Sequence, residues 1–118
     1  MGLLLHFANT EYISPSPKIE KFYTSIPEKD NWVTVPKDTK ELTIYVEPTY
    51  TETVLFWLIP TGTTTWNERK LIGYDTNHDG DNKFTLSRKV PKHLLNHLEI
   101  QALGENEIAD SLLNIYKK

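Results

Sequence analysis

The chain has 118 residues, with 38% hydrophobic and 25% charged residues and a net charge of −3. That is one domain's worth of sequence, too aromatic for a disordered chain and without the clustered Lys and Arg that a nucleic-acid surface needs. Cysteine is absent, so a disulfide framework and thiolate chemistry are both excluded.

The first residues, MGLLLHFANTEY, do not read as a signal peptide. The apolar part, Leu3–Ala8, is short, is interrupted by His6, and lacks a basic leader and a small-residue cleavage site. His6 also stands where a myristoylation signal wants Ser or Thr. No apolar run reaches the roughly 18 residues of a membrane helix. The opening is therefore either the start of an excised domain or a first strand. Ser14-Pro15-Ser16-Pro17 is a stiff extended connector, because each proline forces the preceding residue out of the helical region. Residues 1–17 are taken as tail and linker, and 18–118 as the domain.

Within that domain, Ile19–Ile26 reads as an edge strand ended by Pro27. Glu28–Asn31 is a turn, and Trp32–Val35 a short extended piece before Pro36. In Glu41–Glu47, Leu42, Ile44 and Val46 alternate with Thr43, Tyr45 and Glu47, the signature of a half-buried strand. Val54–Ile59 is apolar at every position, which predicts a central strand covered, or nearly so, on both faces. After a Thr-rich loop, Pro60–Glu68, come strands at Arg69–Tyr74 and Phe84–Val90. Pro91–Leu98 predicts a loop with one helical turn, since Pro91 suits a first turn. Leu98–Leu103 alternates again, and Ile108–Tyr116 closes the chain. In that last strand Ile108, Leu112 and Tyr116 compete with Leu113 and Ile115 for the inner face. About seven short strands separated by turn formers predict an all-β, antiparallel two-sheet sandwich.

The elements Val54-Leu55-Phe56, Leu71-Ile72-Gly73-Tyr74-Asp75-Thr76, Phe84-Thr85, Leu98-Glu99-Ile100-Gln101-Ala102 and Gly104-Glu105-Asn106 stand in an order that resembles a bacterial immunoglobulin-like domain. The resemblance covers roughly residues 40–116. The chain departs from the family pattern in its long Pro60–Glu68 loop and in Asp-Asn-Lys before Phe84. The resemblance implies an immunoglobulin-like fold in an extracellular or cell-surface module that acts as a spacer or as an interaction or adhesion unit. It carries over no catalytic residues, and implies a monomeric module of a larger protein with a protein, cell-wall or glycan partner.

Three sets of residues are candidate sites. Asp75, Asn77, Asp79 and Asp81, with Gly80 between, match the opening of a calcium loop, where alternate oxygen ligands converge around a sharp turn. The twelfth position is Leu86 rather than Glu, so any calcium site would be of the weak extracellular kind, with dissociation constants around 10⁻⁴–10⁻³ M. The competing reading is an acidic turn in which Asp and Asn bond their own backbone. Trp66 and Tyr50, with Trp32, are candidates for stacking on a sugar, which makes a carbohydrate-binding accessory module the alternative function; Trp57 is expected in core or inter-sheet packing. His93 and His97 have helical zinc-site spacing but lack the following Glu and a third ligand, and read as surface histidines. Ser87 and Ser111 have no nucleophile-elbow context. Asp75, Asp79 and Asp81 crowd one loop instead of facing each other across a cleft. The sequence is that of a non-enzyme.

Overall fold

A computed structural model of the chain describes residues 15–61 and 66–118. The strands are β1 (Lys18–Thr24), β2 (Trp32–Val35), β3 (Glu41–Thr49), β4 (Thr53–Pro60), β5 (Lys70–Thr76), β6 (Phe84–Lys89), β7 (Leu94–Leu103) and β8 (Ile108–Lys117), with a 3₁₀ turn at Trp66–Glu68 before β5. They form two sheets, β1-β3-β6 and β2-β8-β7-β4-β5. All pairs are antiparallel except β2–β8, which is parallel. The result is an immunoglobulin-like all-β sandwich. β5 stays beside β4 in the larger sheet instead of extending the smaller one.

Alternation explains the core. β3 turns Leu42, Ile44 and Val46 inward, where they meet Val54 and Phe56 of β4, Phe84 of β6, Leu98 and Ile100 of β7, and Leu113 and Ile115 of β8. The contest in β8 is settled for Leu113 and Ile115, and Ile108, Leu112 and Tyr116 are left on the outside. The hairpin into β2 is equally local in origin. Asp30 and Asn31 both have positive φ, 53° and 67°, a conformation that Asn and Asp tolerate best among residues with side chains. Lys29 and Trp32 exchange backbone hydrogen bonds across them.

The expected seven or so strands come out as eight, because the short Trp32–Val35 piece joins the larger sheet beside β8. One expectation about the elements is corrected. The segment from Leu94 is extended, not helical: β7 runs ten residues along β8, and Leu94 packs against the core. β4 is central; Val54 and Phe56 seal its inner face, and on the other face Ile59 is buried while Leu55 and Trp57 are half-buried.

Two small residues set close approaches. A Cβ on Gly73 would come within 2.7 Å of a Leu86 methyl on the opposing sheet, so glycine lets β5 and β6 close together. A Cβ on Gly104 would come within 2.9 Å of the Pro17 ring and 3.0 Å of the Tyr50 carbonyl. Pro17 is accordingly buried, and the connector's last residue is clamped to the end of the sandwich. Pro48, mid-strand in β3, is accommodated because β6 pairs β3 only as far as Val46, leaving one side of the strand free of a partner there.

Replacing Phe56, fully buried between the sheets, by Ala should destabilise the fold by about 3–5 kcal/mol. The exposed Tyr74→Ala change should stay within about 0.5 kcal/mol. Urea unfolding of both variants checks the orientation assigned to β4 and β5.

Candidate functional site

At one end of the sandwich the turns β3–β4, β5–β6 and β7–β8 come together with the N-terminal connector. An open depression there is lined by Pro15, Tyr50, Asn77, Asn82 and Glu105. Two of the sequence candidates, Tyr50 and the 75–82 loop, thus share one site. Tyr50 is exposed and held at φ 52°.

The loop is closed by its own side chains. Asn77 Nδ2 donates to Asn82 Oδ1 at 2.8 Å, and the Asn82 N–H donates back to Asn77 Oδ1 at 3.0 Å. Asp81 Oδ1 accepts from the Lys83 N–H, and Gly80 supplies a positive φ of 70°. Asp79 lies 3.5 Å from His78 Nε2, both exposed. Asp75 reaches beyond the loop. Its Oδ1 accepts from the Thr76 N–H and its Oδ2 from the Thr85 N–H, each at 2.9 Å. One carboxylate therefore ties β5 of one sheet to β6 of the other. Among the described residues no group of three or more His, Asp or Glu side chains is placed to hold a metal ion. Asp75, Asn77 and Asp81 thus bond to nearby backbone, to Asn82 and to the facing strand.

The aromatic candidates are dispersed. Tyr50 precedes β4 and the Trp66 turn follows it, so some eight residues of strand, about 26 Å, separate them. The side chain of Trp66 lies outside the described residues. His93 directly precedes β7 and His97 lies within it, so extended backbone replaces the helical turn that would have paired their rings. His97 Nδ1 is 2.8 Å from Asn114 Oδ1 on the neighbouring strand.

The feature that sequence reasoning missed is the outer face of the five-stranded sheet. Among the described residues nine large apolar or aromatic side chains are exposed. Seven lie on this face: Trp32, Leu71, Tyr74, Leu95, Ile108, Leu112 and Tyr116. At its centre Trp57 points outward, opposite to the expected core placement. Its Nε1 donates to Gln101 Oε1 at 2.8 Å, and the Arg69 guanidinium covers the ring at 4.1 Å from the centroid. Arg69 Nη1 also donates to Glu99 Oε1 at 3.2 Å. Glu99 is only 1% exposed, although it occupies an outward position of the alternation. Burial raises the Glu99 carboxyl above its ordinary range; Arg69 partly offsets this, and Asp110, by hydrogen bond and charge, adds to it. The pattern could show that Glu99 faces outward. It could not show that an arginine 30 positions away would fold over it.

These features define an immunoglobulin-like sandwich with an apolar sheet face and a self-closed loop end. No family model and no curated protein sequence matches the chain. Among solved structures it is similar to the superoxide reductase (neelaredoxin) of Ignicoccus hospitalis T24K, with 14% identity, a TM-score of 0.55, and 87% of this chain and 80% of that chain covered. It is also similar to AggA, the major subunit of aggregative adherence fimbriae type I of Escherichia coli, with 10% identity, a TM-score of 0.42, and coverage of 91% and 97%. The first likeness shows a shared fold.

Two outcomes test the geometry. Asp75→Ala should lower stability by about 1–3 kcal/mol in chemical denaturation, since two backbone donors lose a charged acceptor. For Glu99 the folded-state pKa lies above the unfolded one, so its contribution is fully present at acid pH and is lost as pH rises through the folded value. Glu99→Gln should therefore gain stability relative to wild type between pH 4 and pH 7, measured by thermal unfolding across that range.

Proposed function

We propose that this chain is a non-catalytic, bacterial immunoglobulin-like module of an exported or cell-surface protein. It acts as a spacer that also docks a protein partner on the outer face of its five-stranded sheet. The observation that carries the reading is the concentration of exposed Trp, Tyr and Leu side chains on that one face. Aromatic and aliphatic anchors around a fixed arginine are the make-up of a protein interface core. Five strands of four to ten residues at sheet spacing give a face of roughly 600 Å², somewhat below the roughly 800 Å² per partner of a standard interface.

A flat protein surface suits this face better than a glycan. The ring best placed for sugar stacking, Trp57, is already covered by Arg69, and Tyr50 stands at the end of the molecule. The likeness to a superoxide reductase is one of fold, and the module is proposed to work by binding alone.

The test compares binding of the folded chain to bacterial envelope proteins and to a glycan array. The reading expects envelope-protein binding that a Leu95→Asp/Leu112→Asp variant loses by tenfold or more with an unchanged circular dichroism spectrum. Glycan binding that Tyr50→Ala abolishes and the face variant preserves would replace it with the carbohydrate-module reading.

A further inference from the structure

Lysines that lie far apart in the sequence are gathered by the fold at the pole opposite the loop end. In the strand registers Glu41 stands beside Lys89 and Val35 beside Lys117. The Val90 N–H donates to the Lys40 carbonyl between them. Residues 36–41, 88–93 and 117–118 therefore form one surface. They hold seven of the chain's 13 Lys and Arg, against two acids, Asp38 and Glu41. The loop end carries Glu52, Asp79, Asp81 and Glu105 instead. β8 runs ten residues from one end to the other, about 33 Å, or about four Debye lengths at physiological salt. A ligand at the basic pole therefore meets its lysines and not the overall charge of −3.

Two open depressions adjoin there. One, of about 710 Å³, is lined by Lys37, Lys40, Lys89 and Lys117, with Asp38 and Glu41. The other, of about 390 Å³, is lined by His93, Tyr116, Lys117 and Lys118. Lys117 is common to both.

Lys117 follows Leu113 and Ile115 on the inward side of β8 and is only 5% exposed. Its Nζ donates to the Thr39 carbonyl at 2.7 Å, which engages one of the three donors of an ammonium. Among the described residues no carboxylate lies within 4 Å of Lys37, Lys40, Lys89 or Lys117. A nearly buried charge is ordinarily paired; this one has a neutral acceptor and borders two basic depressions. The cations that line the larger depression are all lysines. An arginine fork is matched to a planar carboxylate, whereas an ammonium meets a phosphate as a point charge from any direction. Charge repeated along two adjoining depressions suits a linear ligand better than a single small anion.

We propose that this pole binds a linear polymer of phosphate groups. One phosphate sits among Lys37, Lys40 and Lys89, and the chain continues past Lys117 into the second depression.

The probe is inorganic polyphosphate, titrated into the full chain at low salt and followed by amide chemical shifts and calorimetry. Saturating shifts are expected at Thr39, Lys40, Lys89, Val90 and Lys117, with an affinity that falls as salt rises. Lys40→Glu/Lys89→Glu should weaken binding tenfold or more with an unchanged circular dichroism spectrum. Lys18→Glu/Lys21→Glu, the same change of charge on β1, should leave it unaltered. Equal losses in the two variants overturn the site, because net charge alone then governs binding. Polyglutamate that binds as tightly as polyphosphate overturns the phosphate chemistry, and tighter binding of a single-stranded oligonucleotide gives the pole to nucleic acid instead. Absence of saturable shifts overturns it outright, and binding to phosphatidylglycerol vesicles in that case reassigns the pole to a membrane surface.

Discussion

The constraint on which this sandwich depends is the facing of β4. Its run of apolar residues would be content with either side inward, and the register against β7, Phe56 beside Ile100 and Trp57 beside Glu99, decides between them. Once Val54 and Phe56 are inside, Leu55 and Trp57 must be outside, because side chains alternate strictly along a strand. The core then follows from the inward sets of β3, β7 and β8. So does the apolar outer face, which no second layer covers among the described residues. Arg69 is the chain's partial answer: it lies over Trp57 and offers a charge to Glu99, so that one side chain shields a ring and neutralises a carboxylate.

Much of this is legible in the sequence where alternation is clean. Leu42, Ile44 and Val46, and Leu98, Ile100 and Ala102, are inside as their spacing requires. The turn at Glu28–Asn31 and the irregular loop after β5 follow from the conformations open to Asp, Asn and Gly. Alternation fails where two patterns fit equally well. PKHLLNHL satisfies a helical turn and a strand, and pairing with β8 over ten residues chooses the strand. Uniform hydrophobicity in β4 carries no phase, so the expectation for Trp57 falls on the wrong side. The last strand offers two apolar sets, and its neighbours β7 and β2 decide the inner face.

The loop candidates illustrate a different limit. A D-x-N-x-D-G sequence specifies a tight turn rich in oxygen, whatever those oxygens then bond. Here the amide of Asn77 and the carboxylates of Asp75 and Asp81 bond nearby backbone and, through Asp75, the facing strand. The cross-sheet bond from Asp75 to Thr85 depends on the β5–β6 approach that Gly73 permits. Neither is visible in residue type alone. Each needs two strands to be in place first.

The clamp at Pro17 and the course of β8 have a mechanical consequence. The described chain enters at the loop end, where Pro17 meets Gly104 and Tyr50, and leaves at the opposite pole, where Lys117 Nζ donates to the Thr39 carbonyl at 2.7 Å. Tension applied through these two points runs along the strands. It loads the parallel β2–β8 ladder and the β1–β3 ladder in shear, where hydrogen bonds must yield together, instead of peeling them one at a time.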